Sequence, residues 1–164
     1  MSAVYCVDTS AWIDLKDIYP KRIFESVWTK IETLVDDNRI ISPQEVYAEI
    51  EQVDDDLYKW FKNHRQIIRN LDEEQIALAK TIESQFPRLV DPDKEIPVAD
   101  PFVIALAKIE TRNLTMLDSK CIVVSQEKPR SSTASRPKIP DVCEAYDVEH
   151  FSIIEFFDNE GWKI

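Results

Sequence analysis

Apolar residues recur along this chain in two distinct spacings. Short unbroken runs stand at "VYCV" (Val4–Val7), inside "NRIIS" (Arg39–Ser42) and at "CIVVS" (Cys121–Ser125). Runs this short and continuous read as strands covered on both faces, as in a parallel sheet. "VEHF" reads as a further strand near the C-terminus. Between these runs the apolar spacing widens to three and four residues. Ile23, Val27, Ile31, Leu34 and Val35 predict a helix from about Pro20 to Asp37. Val46, Ile50 and Val53 predict the next one, with Ser42 as N-cap, Pro43 in the first turn and Glu45 closing a capping box.

"DDDLYKWFKNH" and "DEEQIALAKTIESQF" predict two more amphipathic helices, the second capped by Asp72 and Gln75. "ADPFVIALAKIE" predicts a helix starting at Pro101, with Asp100 as its N-cap. "PDVCEAYD" is a short helix, and Ser152 with Glu155 caps "SIIEFFDNEG" ahead of Gly161. "PRLVDPDKEIP" and "QEKPRSSTASRPKIP" read as loops. Strands that alternate with helices argue for one α/β domain spanning residues 1–164, built on a parallel sheet. Ligands of such sheets bind beyond the carboxyl ends of the strands. Asp8 falls at such a place, and so does Ser125-Gln126-Glu127.

Composition narrows the chemistry. The chain has 164 residues, 44% of them apolar and 31% charged, which suits a globular protein with a real core. It carries no apolar stretch of membrane-spanning length and no leader-like N-terminus, so a cytoplasmic protein with no membrane partner is expected. Cys6, Cys121 and Cys143 are odd in number and form no C-x-x-C pair, as in a reducing compartment. His64 and His150 are the only histidines, which argues against a His-based zinc site. A single glycine, Gly161, excludes the Walker loop, the dinucleotide-binding fingerprint and the hydrolase nucleophile elbow. The net charge of -11 is wrong for a purely electrostatic nucleic-acid binder. Carboxylates holding divalent cations, or a basic protein partner, would reconcile it.

Most of the 31 acidic residues are solvated surface, Asp54–Asp56 among them. Four stand apart. Asp8 ends a buried strand, and reads equally as the cap of the helix that follows. Glu49 sits within the apolar face of Val46, Ile50 and Val53, where a buried carboxylate needs a partner or a metal; a residue snorkelling at the edge of that face is the other reading. Asp100 opens a helix and can cap it while a second oxygen faces a ligand. Glu127 follows the third strand, where it is either a ligand or a loop charge beside Lys128.

Taken together, "VDTSAWI", "ISPQEVYAEI", "ADPFVIALA" and "VVSQE" resemble the PIN domain, the nuclease fold of VapC-type toxins and RNA-processing enzymes. The likeness runs from Val4 to Glu127, and the downstream "KIPDVCEAYDVEHFSIIEFF" is similar to the tail of a poorly characterised PIN-like branch. The resemblance implies a three-layer α/β/α sandwich around a mainly parallel sheet. It implies a Mg²⁺- or Mn²⁺-dependent endoribonuclease whose metal ligands and catalytic residues are Asp8, Glu49, Asp100 and Glu127. Its fourth acid is usually Asp or Asn, so Glu127 departs from it, with Asp118 as a fallback and Asp93 and Asp141 further out. Thr9, Ser10 and Ser125 would orient ligands or waters. Lys128 and Arg130, with Arg136 and Lys138, form a basic Ser-rich loop after Glu127 that reads either as a contact to the RNA backbone or as a simple solvated loop. An antitoxin protein and a homodimer are implied partners.

The chemistry is consistent with the residue types. Clustered carboxylates repel one another, and a hard divalent cation with oxygen ligands relieves that conflict. Such a cation lowers the pKa of water and stabilises phosphodiester cleavage to a 5′-phosphate and a 3′-hydroxyl. A non-catalytic PIN-like binding or scaffold protein is the alternative. A haloacid-dehalogenase phosphatase would need a second Asp at position 10, which is Ser. Trp12, Trp28, Trp60 and Trp162 offer stacking surfaces, although Trp28 and Trp60 sit at core spacing.

Overall fold

Five parallel strands form one sheet in the order β3-β2-β1-β4-β5. The computed structural model describes residues 2–87, 98–127 and 138–164. The strands are β1 (Val4–Val7), β2 (Ile40–Pro43), β3 (Ile68–Arg69), β4 (Cys121–Val124) and β5 (His150–Phe151). The helices are α1 (Thr9–Ile18), α2 (Glu25–Asp36), α3 (Gln44–Val53), α4 (Asp55–Lys62), α5 (Glu73–Gln85), α6 (Asp100–Leu114), α7 (Ile139–Ala145) and α8 (Ile153–Asn159). This is the expected three-layer α/β sandwich. Among the described residues, no helix is long and apolar enough to cross a membrane.

The unbroken apolar runs have the predicted cause. Tyr5, Cys6 and Val7 are buried together, as are all four residues of β4. Successive strand side chains point to opposite faces, so both faces must be covered. Cys6 meets α6 through Val103, 3.6 Å from its sulfur to the carbonyl oxygen. Tyr5 meets α8, its ring 4.5 Å from that of Phe156. Burial holds the Cys6 and Cys121 thiols well above their ordinary range, as befits small core residues.

α6 runs antiparallel to the strands. Its Thr111 hydroxyl contacts both N–H and C=O of Cys121, at the start of β4, while Val103 contacts Cys6 near the end of β1. Asp100 therefore lies at the carboxyl edge of the sheet, beyond Val103.

Several predicted boundaries shift. The second helix starts at Glu25 rather than near Pro20. Tyr19 ends α1, and the carbonyl of Pro20 accepts from the N–H groups of Ile23 and Phe24 in a turn that reverses the chain. Ile23 is left outside the helix and exposed. Ser42 is no N-cap. It belongs to β2, and its hydroxyl donates to the Val7 carbonyl (2.6 Å) and accepts from the Trp12 indole (3.0 Å). Burying Trp12 required a partner for its N–H, and Ser42 supplies it. Pro43 takes the cap position without a side-chain bond, so the Glu45 capping box does not form. Asp100 is the first residue of α6, with Ala99 preceding it as cap. The Asp72–Gln75 and Ser152–Glu155 capping boxes are as predicted. Gly161, at φ 70°, closes α8 with N–H bonds from Gly161 to Asp158 and from Trp162 to Phe157. β3 has only two residues and no clear sequence signal.

Ser42→Ala should therefore strand the buried Trp12 N–H and lower stability by about 1–3 kcal/mol in urea unfolding. An unchanged midpoint would contradict the role given to this hydroxyl.

Candidate functional site

The ladder between β1 and β4 continues one bond past the strands, where the Asp8 N–H donates to the Val124 carbonyl at 2.9 Å. That bond fixes Asp8 at the carboxyl edge, directly before α1. Asp8 then caps α1 from one oxygen. Its Oδ2 accepts from the Ser10 hydroxyl (2.7 Å) and the Ser10 N–H (3.3 Å). The residue is only 3% exposed. Its other oxygen, Oδ1, is buried and has no hydrogen-bond partner among the described residues.

Burial is the main reason the Asp8 carboxyl is pushed up to about 6. The Ser10 hydrogen bonds pull the other way, and the negative charges of Glu127 and Glu49 add to the rise. Both glutamates are thus close enough to act on Asp8. Glu49 is 7% exposed on α3 and accepts from the Thr9 hydroxyl at 2.7 Å. Glu127 is half-buried, and its Oε2 accepts from the Ile139 N–H at the start of α7 (2.8 Å).

The β4 exit loop ties the edge together. The Gln126 N–H donates to the Ser10 hydroxyl (3.1 Å), and the Gln126 side chain accepts from the Ile153 N–H at the start of α8 (2.9 Å). Ser10 therefore links Asp8 to the segment that carries Glu127.

Asp8, Glu49, Glu127, Thr9 and Ser10 are brought together as anticipated, and Asp100 shares their edge of the sheet. Ser125 is different. Its fully buried hydroxyl pairs with His150 Nε2 at 2.6 Å, on the β5 side. Asp118 does not belong to the edge at all. It precedes β4, which runs parallel to β1, and so lies at the amino end of the sheet, opposite Asp8. Asp141 serves α7, accepting from the Lys138 N–H at 2.8 Å. Asp93, Lys128, Arg130 and Arg136 lie outside the described residues.

Two neighbours escaped the sequence reading. Cys143 on α7 is buried, and its thiol is raised by that burial and then by the charges of Asp8 and Glu127, which brings it to the same edge. His150 had no assigned partner. It holds Ser125, and burial lowers its pKa. Neither carries a local motif; each is placed by the packing of a distant element.

In donor chemistry the acids fit a hard divalent cation, since every candidate ligand is a carboxylate oxygen. The partnerless Oδ1 of Asp8 and the negative field around it fit one too. As the side chains stand, no group of three or more His, Cys, Asp or Glu among the described residues is gathered to hold a metal. Thr9 and the Ile139 N–H hold Glu49 and Glu127 in separate hydrogen bonds.

The chain belongs to a protein family described as "Domain of unknown function (DUF4411)", which it matches over residues 5–164. No curated protein matches it.

The raised carboxyl makes a signed prediction. The folded state binds the Asp8 proton more tightly than the unfolded state, whose ordinary value is 3.8. Between about pH 4 and 6 the folded state holds the extra proton, so stability falls as pH rises through that window. Asp8→Asn removes the buried charge. Without metal it should be more stable than wild type at pH 7 by about 1–3 kcal/mol, with a flatter slope between pH 4 and 6. Urea unfolding in EDTA across that range measures this, and a variant weaker than wild type at pH 7 would refute it.

Proposed function

We propose that the protein is a Mg²⁺- or Mn²⁺-dependent endoribonuclease of the PIN-domain type. One observation carries the reading: a buried Asp8 whose Oδ1 has no hydrogen-bond partner among the described residues, in the field of two further carboxylates at the carboxyl edge of a parallel sheet. Isolated buried charge is costly, and a divalent cation is the ordinary way to relieve it. RNA as substrate rests on the resemblance of "VDTSAWI", "ADPFVIALA" and the companion segments to that fold.

In this reading Asp8, Glu49, Asp100 and Glu127 hold the cation. When bound, it lowers the pKa of water and offsets charge on the scissile phosphate. The chain's own residues do the rest. Ser10 fixes Oδ2 of Asp8 with two donors, so Oδ1 would be the oxygen open to a cation. Thr9 orients Glu49. Glu127 would have to share or release its bond from the Ile139 N–H. A toxin paired with a basic antitoxin suits the acidic edge and the net charge of -11.

A second reading, a binding protein without catalysis, draws on the absence of a pre-gathered group of three ligands among the described residues. One experiment separates the two. Purified protein is incubated with single-stranded RNA, structured RNA and DNA, in Mg²⁺, Mn²⁺ or EDTA. RNA cleavage is expected with metal and not in EDTA, and Asp8→Asn or Asp100→Asn should slow it by at least ~100-fold. Cleavage that persists in EDTA or in those variants would defeat the proposal. No cleavage of any substrate together with no metal heat in calorimetry would defeat the nuclease reading and favour the binding one.

A further inference from the structure

Thr9, Ile13 and Lys16 recur at helical spacing and share one face of α1. Thr9 bonds Glu49 within α3, and Lys16 bonds Asp54, which ends α3 and caps α4, at 2.8 and 3.0 Å. The seam between α1 and α3 thus leads away from the acids for about 10 Å along the helix. At its far end opens a cavity of about 190 Å³ lined by Lys16, Lys21, Trp28, Asp56, Leu57 and Trp60.

Its floor is aromatic, and the indole donors are already used. Trp28 Nε1 donates to the Tyr19 carbonyl (2.7 Å), and Trp60 Nε1 to Glu32 (3.4 Å). Trp28 is 3% exposed and backs the cavity, so Trp60, half-buried, is the ring that presents surface, and neither indole has a free donor. His64 stacks on Trp60 with centroids 4.1 Å apart and holds that ring in place. The charges at the rim are paired, Lys16 with Asp54 and Asp56, and Lys21 with Glu32 at 3.3 Å. An ion entering the cavity would have to displace a partner, whereas an uncharged planar ring would not. The volume takes one ring system and excludes a base pair. The Lys21–Glu32 pair is exposed, and such pairs hold weakly, so Lys21 can turn to a phosphate at the mouth.

We propose that this cavity binds one unpaired nucleobase of a single-stranded RNA, against the exposed part of Trp60, with an adjacent phosphate on Lys21. The strand would run along the α1–α3 seam to the acids, so the proposal rests on the nuclease reading above and names its substrate as single-stranded.

The test is intrinsic tryptophan fluorescence of the full chain in EDTA, where cleavage does not interfere. A short single-stranded oligoribonucleotide should quench it saturably. The same strand made of abasic residues should bind at least ~tenfold more weakly. Lys21→Glu, an exposed substitution with little effect on folding, should also weaken binding about tenfold. Equal affinity for the abasic strand, unchanged affinity in Lys21→Glu, or no quenching would overturn the proposal. The two readings fail separately. Base-dependent quenching without any metal-dependent cleavage supports this cavity and defeats the nuclease. Cleavage with a wild-type KM in Lys21→Glu defeats this cavity and leaves the nuclease.

Discussion

The carboxylate of Asp8 is the constraint around which the carboxyl edge of this sheet is organised. A buried strand must deliver its last backbone N–H to a neighbour, and here Val124 receives it. The next atoms in the chain are a charged side chain with almost no access to water. Ser10 satisfies one oxygen twice over, and the other oxygen has no hydrogen-bond partner among the described residues. Burial above all, and then the charges of Glu127 and Glu49, push the carboxyl up to about 6. Such an arrangement disfavours the charged form of Asp8 in the folded protein.

The rest of the edge holds this strained charge in place. Ser10 bridges Asp8 to Gln126, and Gln126 reaches the first N–H of α8. Glu127 reaches the first N–H of α7. Both helix starts thus have an orphan donor satisfied by the loop that leaves β4. At the other end of the sheet, Arg39 and Glu160 pair at 2.6 Å, and Tyr5 and Asn159 join them, fastening α8 to β1 and β2. The two ends are built differently: ion-paired at the amino end, acidic at the carboxyl end.

Much of this was legible in the sequence, for physical reasons that can be named. β1 and β4 were visible because a strand covered on both faces must be apolar throughout. Asp8, Glu49 and Glu127 stood out because each interrupts or ends an apolar pattern. Other features were hidden. Ser42 looked like a helix cap because serine favours caps, but the buried Trp12 indole had the stronger claim on its hydroxyl. Asp118 was the fallback for Glu127, yet it lies on the amino side of a parallel strand. Ser125 was read as facing the acids, and its recorded partner is His150, a residue whose position depends on the pairing of β5 with β4. The cavity beside Trp60 was invisible, because three separate helices and a turn converge to make it.

The most direct test of the account is the ionisation of Asp8 itself, followed by NMR of its side-chain carboxyl carbon during a pH titration, with and without Mg²⁺. The account predicts a midpoint near 6 in EDTA, falling by more than about one unit when Mg²⁺ is added. A midpoint near the ordinary carboxylate value that Mg²⁺ leaves unmoved would contradict it.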